Sequence, residues 1–202
     1  MTRISLKSIV GGGYAEFWRT QKRYLAVKGG RGSKKSKTAG LRWMYLLSKY
    51  PLANLLVVRK TYNTLKDSCF QDLKWAIHQL KLDAYWSWTN APLQITNKKT
   101  GQKILFRGLD DPLKITSIAV EKGYICWAWF EEAYEVTNED DFNKIDLSIR
   151  GELPPGYFKQ LVLSFNPWNE KHWLKSRFFD VEDENVLALT TNYLCNEFLG
   201  ED

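Results

Sequence analysis

The chain has 202 residues, 44% of them hydrophobic and 26% charged, which suits one medium-sized folded domain with a real core and excludes wholesale disorder. Lys and Arg number 29 against 23 Asp and Glu, a formal net charge of +6, an excess that fits an anionic partner without naming one. Three scattered cysteines and two histidines exclude a disulfide framework and a Cys/His metal centre, and no apolar run reaches the about 20 residues of a membrane helix.

In chain order, Tyr24 to Val27 reads as a short apolar strand running into Lys28-Gly29-Gly30-Arg31-Gly32-Ser33-Lys34-Lys35-Ser36-Lys37-Thr38. Ala39 to Tyr50 follows as a helix stopped by Pro51, Leu55 to Val58 as a buried strand, and Thr64 to Leu80 as one amphipathic helix. Tyr85 to Trp88, Leu93 to Ile95 and Lys103 to Phe106 read as short strands, the last two joined in an antiparallel hairpin by Asn97-Lys98-Lys99-Thr100-Gly101, which makes the hairpin an inserted or edge element. Tyr124 to Phe130 is a continuous apolar strand ending in Glu131-Glu132. Asn138 caps a helix to Ile149 with acids in its first turn, Leu161 to Phe165 is another buried strand, Lys171 to Phe179 a short helix and Val186 to Thr190 a last strand. Apolar strands alternating with helices imply a three-layered α/β fold around a mostly parallel sheet, in one domain spanning 1–202.

A strand, a glycine-rich loop and a helix in that order form the arrangement that binds nucleotide phosphates: glycines let the backbone curl with its N–H groups inward, and the new helix adds its positive end. Against the spacing G-x-x-x-x-G-K-[ST], Gly29 begins the loop, Lys35 is the phosphate lysine and Ser36 the hydroxyl for Mg²⁺, while Lys34 replaces the second glycine. Lys34 crowds a place where small residues are usual and adds charge to a helix N-terminus, costs that shrink if a polyphosphate sits there. The same loop also reads as a mobile, solvated surface turn.

Glu131 and Glu132 fall at the C-terminal end of a buried strand, the edge where open α/β sheets hold ligands. A first acid there can hold the Mg²⁺ of a nucleotide, and a second can orient and deprotonate a water for attack on the γ-phosphate. The alternative is two solvated acids opening a loop. Asn166, in Ser164-Phe165-Asn166-Pro167, ends the next strand at the same edge, as a γ-phosphate or water sensor or as an Asn-Pro turn, and Arg59 ends the second strand in a similar place.

Together these segments resemble the ATPase domain of the large terminase subunit of tailed bacteriophages. The resemblance rests on Lys28 to Ser33 with Lys35-Ser36, Val58-Arg59-Lys60-Thr61-Tyr62-Asn63-Thr64, Phe106-Arg107-Gly108-Leu109-Asp110-Asp111-Pro112 with Lys114, Trp129-Phe130-Glu131-Glu132-Ala133, Glu152-Leu153-Pro154-Pro155-Gly156, and Ser164 to Pro167 with His172-Trp173-Leu174. It implies a RecA-like P-loop fold, ATP hydrolysis with Mg²⁺ and a homo-oligomeric ring, monomeric in isolation, that drives double-stranded DNA through a portal protein into a procapsid in the host cytoplasm, with the small terminase subunit as a further partner. By the same resemblance Gly29, Gly30, Arg31, Gly32, Ser33, Lys34, Lys35 and Ser36 bind phosphates and metal, Glu131 is the Walker B acid, Glu132 the catalytic base, and Asn166 part of the coupling motif. Phe17-Trp18-Arg19 is similar to the segment that packs on adenine, with Trp18 and Arg19 its binding residues.

Three departures accompany the resemblance: Glu131 stands where aspartate is more usual, Lys34 breaks the loop, and the family's RNase H-like nuclease domain has no counterpart before Asp202. No acidic cluster suited to a two-metal nuclease remains, so DNA cutting is not expected from these residues. For the arginine that stabilises the transferring phosphoryl group, Arg31 is a candidate in cis, Arg107 and Arg150 are candidates in trans, and Lys122 is another. Lys98, Lys99 and Lys103 with Trp86 and Trp88 offer a weak, salt-dependent contact to a DNA backbone, or simply a solvated hairpin. Two rivals stand beside this reading: another P-loop enzyme, helicase-like or phosphotransferase, and a non-hydrolysing DNA-binding module with a degenerate loop.

Overall fold

The computed structural model describes residues 5–111, 118–167 and 169–196; Pro112 and Lys114 lie outside the described residues. Two short helices, α1 (Lys7–Val10) and α2 (Ala15–Arg19), precede strand β1 (Tyr24–Gly29), helix α3 (Lys35–Lys49) and strand β2 (Ala53–Arg59). A 3-10 turn (Tyr62–Leu65) and α4 (Cys69–Gln79) lead to β3 (Trp86–Asn90), β4 (Leu93–Asn97) and β5 (Lys103–Gly108). The chain continues through β6 (Tyr124–Glu131), α5 (Glu139–Ser148), β7 (Gln160–Phe165), α6 (Trp173–Phe178) and β8 (Val186–Thr191).

All eight strands form one sheet in the order β3-β4-β5-β2-β6-β7-β1-β8. From β5 to β8 every neighbouring pair is parallel, so the strands β1, β2, β5, β6, β7 and β8 all end at one edge. β4 runs antiparallel to both β3 and β5. The hairpin expected around Asn97 forms, with the Asn97 side chain accepting from the amides of Lys99 (2.9 Å) and Thr100 (3.1 Å). Its second strand is nevertheless no edge element: Leu55 to Arg59 pair in parallel with Ile104 to Gly108, so only β3 and β4 extend the sheet outward.

Alternation along the buried strands separates two cores. Leu55, Val57, Trp127, Trp129 and Val162 pack with Trp43, Leu47, Phe70 and Ile77 of α3 and α4. Leu56, Val58, Ala128, Phe130, Leu161 and Leu163 face the other way, onto Phe142, Ile145, Leu174 and Phe178 of α5 and α6. This is the pattern of a sheet covered on both faces, which is why its strands read as uninterrupted apolar runs. Among the described residues no helix is long and apolar enough to cross a membrane, and Cys69, Cys126 and Cys195 are all unpaired.

Two helices differ most from the sequence reading. The helix expected to start at Ala39 starts at Lys35; Lys35, Ser36 and Lys37 form its first turn, and, being polar throughout, they hide the apolar periodicity that marks the rest. The helix expected from Thr64 to Leu80 is broken at Ser68, whose backbone at φ −119° and ψ −103° is neither helical nor extended. The Ser68 hydroxyl donates to the Thr64 carbonyl at 2.7 Å, a local bond by which serine competes with helix propagation.

Candidate nucleotide-binding site

β1 delivers the chain to the strand-end edge at Gly29, whose α-carbon lies so close to β8 that a Cβ there would stand 2.3 Å from the Thr191 carbonyl oxygen. The loop then curls through Gly32 at φ 78° and Lys34 at φ 66°, both left-handed, before α3 begins. That conformation is the one glycine adopts freely, which accounts for the glycine usual at Lys34's position. The Lys35 ammonium bridges the loop to β7: it donates to the carbonyls of Gly29 (2.7 Å) and Gly30 (3.1 Å), to Ser33 Oγ (3.1 Å) and to Asn166 Oδ1 (2.9 Å). Burial pulls its pKa below the ordinary lysine value, against the opposing pull of Glu131 and Glu132.

β6 brings the acids to the same place. The Ser36 hydroxyl donates to Glu131 Oε1 and the Ser164 hydroxyl to Glu131 Oε2. Ser164 in turn accepts from the indole N–H of Trp129 at 2.9 Å and has the Phe130 carbonyl as a more distant second acceptor at 3.4 Å. Glu131 is 6% exposed, and burial raises its pKa from 4.5 to about 7; the two serine hydrogen bonds work against this, and the charges of Glu132 and Asp72 add to it. Glu132 follows in the left-handed region at φ 49°, a conformation that costs a glutamate roughly 1–2 kcal/mol and recurs at functional turns. The loop beyond it is held by Arg59, whose guanidinium donates to Glu135 Oε1 at 2.8 Å and to Ser68 Oγ at 3.2 Å.

One cavity of about 370 Å³ gathers these groups: Gly30, Arg31, Gly32, Ser33, Lys34, Lys35 and Ser36 on one side, Glu131, Glu132, Ser164 and Asn166 on the other. Gly29 lies just beneath, against Thr191. The sequence reading missed Asp72, which lines the cavity from α4 and pairs with Lys37 at 2.8 Å, and Asn196, whose side-chain amide donates to the Gly32 carbonyl at 2.9 Å. Neither belongs to a motif with fixed spacing from the loop, so nothing in the chain marks them.

Trp18 and Arg19 lie elsewhere. With Leu6, Val10, Gly11, Gly12, Tyr14 and Ala15 they line a second cavity of about 370 Å³, while Phe17, 2% exposed, is plain core. Buried Arg42 of α3 fixes this segment, donating to the carbonyls of Thr20 (2.7 Å) and Trp18 (3.5 Å) with its guanidinium 5.4 Å from the Phe17 ring centre; burial draws its pKa down to about 9. Arg31 is exposed at the rim of the first cavity. Arg107, near the end of β5, lines a separate cavity of about 280 Å³ with Tyr62 and Asp110. Lys122 precedes β6 and Arg150 follows α5 beside Ile149, whose carbonyl accepts from Arg23 ahead of β1 at 3.2 Å. Both therefore sit at the opposite edge of the sheet from the cavity of their own chain.

Mg²⁺ suits the oxygens on offer. Among the described residues no group of three or more His, Cys, Asp or Glu gathers as a cage, whereas one hydroxyl, Ser36, and one carboxylate, Glu131, meet at the cavity. A cation held by few protein oxygens, with phosphates and water supplying the rest, is the usual manner of magnesium at nucleotides.

The parallel sheet order, the curled loop after β1 and the acids after β6 define a RecA-like P-loop fold. A model of the phage terminase large subunit family matches residues 21–202, and the chain belongs to that family. The terminase large subunit of Bacillus phage SPP1 is 34% identical over 209 residues, covering 100% of this chain and 49% of the relative. The PBSX phage terminase large subunit of Bacillus subtilis (strain 168) is 29% identical over 171 residues, covering 85% of this chain and 37% of the relative. The chain thus spans about half the length, or less, of these curated relatives.

Among solved structures, the large terminase of a thermophilic bacteriophage superposes with a TM-score of 0.74 at 18% identity, over 99% of this chain and 48% of that one. The complex of that same terminase with ADP gives 0.71 at 19%, over 98% and 48%. A mutant ATPase domain of the Thermus phage P74-26 large terminase gives 0.67 at 13%, over 94% and 86%. At these identities the likeness is one of fold.

Proposed function

We propose that residues 1–202 form the ATPase domain of a genome-packaging motor, hydrolysing ATP with Mg²⁺ and contributing no nuclease activity. The carrying observation is the convergence of Lys35, Ser36, Glu131, Glu132 and Asn166 on one cavity at the sheet edge. In this reading the loop amides from Gly29 to Ser36 cradle the phosphates, and the Lys35 ammonium exchanges loop carbonyls for phosphate oxygens. Ser36 and Glu131 hold Mg²⁺, which when bound neutralises charge on the transferring phosphoryl group. Glu132 orients the attacking water and takes its proton; Asn166, already on Lys35, carries the state of the γ-phosphate into β7. Trp18 and Arg19 seat the adenine in the second cavity. The thermophilic phage's large terminase is solved with ADP and with ATP-gamma-S, which supports a nucleotide in the corresponding place here.

Ring assembly on a portal, with double-stranded DNA as the cargo, the small subunit as accessory and the host cytoplasm as the compartment, follows from family membership in this proposal. Arg31 at the rim acts in cis, or a neighbour's Arg107 completes the site; Lys122 and Arg150 would reach a cavity only across a subunit boundary. The test is release of inorganic phosphate from ATP by the 202-residue chain with and without Mg²⁺. Nucleotide-dependent thermal stabilisation with slow, Mg²⁺-dependent release supports the reading. Absence of both at millimolar ATP would leave a phosphate loop without a nucleotide.

A further inference from the structure

Three consecutive loop residues are fastened by groups from other elements, Asn196 at the cavity itself and Tyr14 and Ile9 from behind it. Asn196 donates to the Gly32 carbonyl at 2.9 Å, the Tyr14 hydroxyl donates to the Ser33 carbonyl, and the Lys34 ammonium donates to the carbonyl of Ile9 in α1. Tyr14 is 1% exposed and Ile9 packs on the same core, so these are contacts to ordered structure. Ile9 adjoins Val10, and both Val10 and Tyr14 line the second cavity with Trp18 and Arg19. The wall of one cavity is therefore tied twice, through Lys34 and through Tyr14, to the loop that builds the other.

We infer that Lys34 is a positioning residue that couples the base cavity to the phosphate loop, so that a nucleotide seated by its base finds the loop already set for its phosphates. The inference rests on the reading of the two cavities as base and phosphate sites. It also gives a reason for a lysine in a left-handed position where glycine costs less: a glycine has nothing with which to reach Ile9. Phosphate charge does not require it, because Lys35 supplies an ammonium group from the next position.

The coupling is read by comparing ATP with inorganic tripolyphosphate, which carries the phosphates without a base. Calorimetric titration of the full chain with each, in Mg²⁺, should show Lys34→Met weakening ATP about tenfold, the scale of one charge-assisted hydrogen bond, and tripolyphosphate by less than about twofold. Lys34→Arg, which keeps a donor, should restore ATP affinity. If Lys34→Met folds poorly, Lys34→Gly, which removes the ammonium and relieves the left-handed backbone, must show the same selective loss. Equal losses for both ligands would make Lys34 a direct phosphate group and overturn the inference while leaving the nucleotide reading intact. A wild-type chain that binds ATP no more tightly than tripolyphosphate overturns it too, and one that binds neither removes the nucleotide reading along with it.

Discussion

The hydroxyl of Ser36, in the first turn of α3, donates to the carboxylate of Glu131 at the end of β6, 95 residues further along the chain. That bond joins the glycine-rich loop to the acidic strand end, and it is one link of a longer relay in which Trp129 donates to Ser164 and Ser164 to Glu131. Both carboxylate oxygens of Glu131 thus accept from a serine, and a protonated Glu131 must turn one of the two hydroxyls from donor to acceptor.

Stability should therefore depend on pH through Glu131. Its pKa is about 7 in the folded chain against an ordinary 4.5, so between those values the folded state holds a proton that the unfolded state has released. Stability from this group is fully present below pH 4.5 and is lost as pH rises through about 7. The loss is on the order of 3 kcal/mol at about 1.4 kcal/mol per unit. Glu131→Gln, a permanent stand-in for the neutral acid, should abolish that slope. Urea denaturation midpoints across the range would show the variant gaining on the wild type as pH rises; parallel curves would mean the wild-type acid ionises at an ordinary pH.

Glu132→Gln should retain ATP binding and lose turnover by at least about a hundredfold, the contribution of a positioned general base. Glutamine keeps the size and the left-handed turn at φ 49°, so the melting temperature should hardly move. Fluorescence titration with ATP alongside phosphate release separates the two effects, and turnover at the wild-type rate would take Glu132 out of the reaction.

How much of this is legible in the sequence follows from the range of each interaction. The strands and the two glutamates are plain because buried parallel strands are apolar throughout and end abruptly in charge. The curl around Lys35 is visible because its glycines and the lysine-serine pair recur at fixed spacing within one short loop. Asp72, Asn196, Tyr14 and Arg42 are not, since each reaches the site or its supports from another element and only folding sets the distance. Arg42 is the clearest case: an arginine on the core face of α3 contradicts helix patterning, and only the carbonyls of Trp18 and Thr20 explain it. The place of β5 departs from expectation for a related reason, because the turn at Asn97 announces an antiparallel partner but says nothing of the parallel one on the far side.

Arg59 should matter to turnover more than to binding. Its side chain is 12% exposed and spans from β2 to Ser68 and, at 2.8 Å, to Glu135, three residues past Glu132. Arg59→Ala frees the turn that holds Glu132 in its strained conformation. We expect kcat to fall about tenfold with little change in KM, and stability to drop by about 1–2 kcal/mol from the lost partly buried pair. Steady-state kinetics with a thermal melt would decide; a change confined to KM would mean that Arg59 serves binding instead.

The last prediction separates two adjacent glycines. A Cβ on Gly29 would stand 2.3 Å from both the carbonyl oxygen and the hydroxyl of Thr191, whereas one on Gly30 meets nothing within 4 Å. Gly29→Ala must push β1 away from β8, and backbone atoms cannot swing aside as a flexible side chain would; overpacking of this kind costs about 1–3 kcal/mol. For a chain of this size that lowers Tm by roughly 2–4 °C per kcal/mol. Gly30→Ala should melt with the wild type. Because β8 is the outermost strand on that side, pairing only with β1, the damage should concentrate there, and amide exchange in Val186–Thr191 should quicken in Gly29→Ala while β6 and β7 stay protected. Equal melting of the two variants would mean that the packing between β1 and β8 yields without cost.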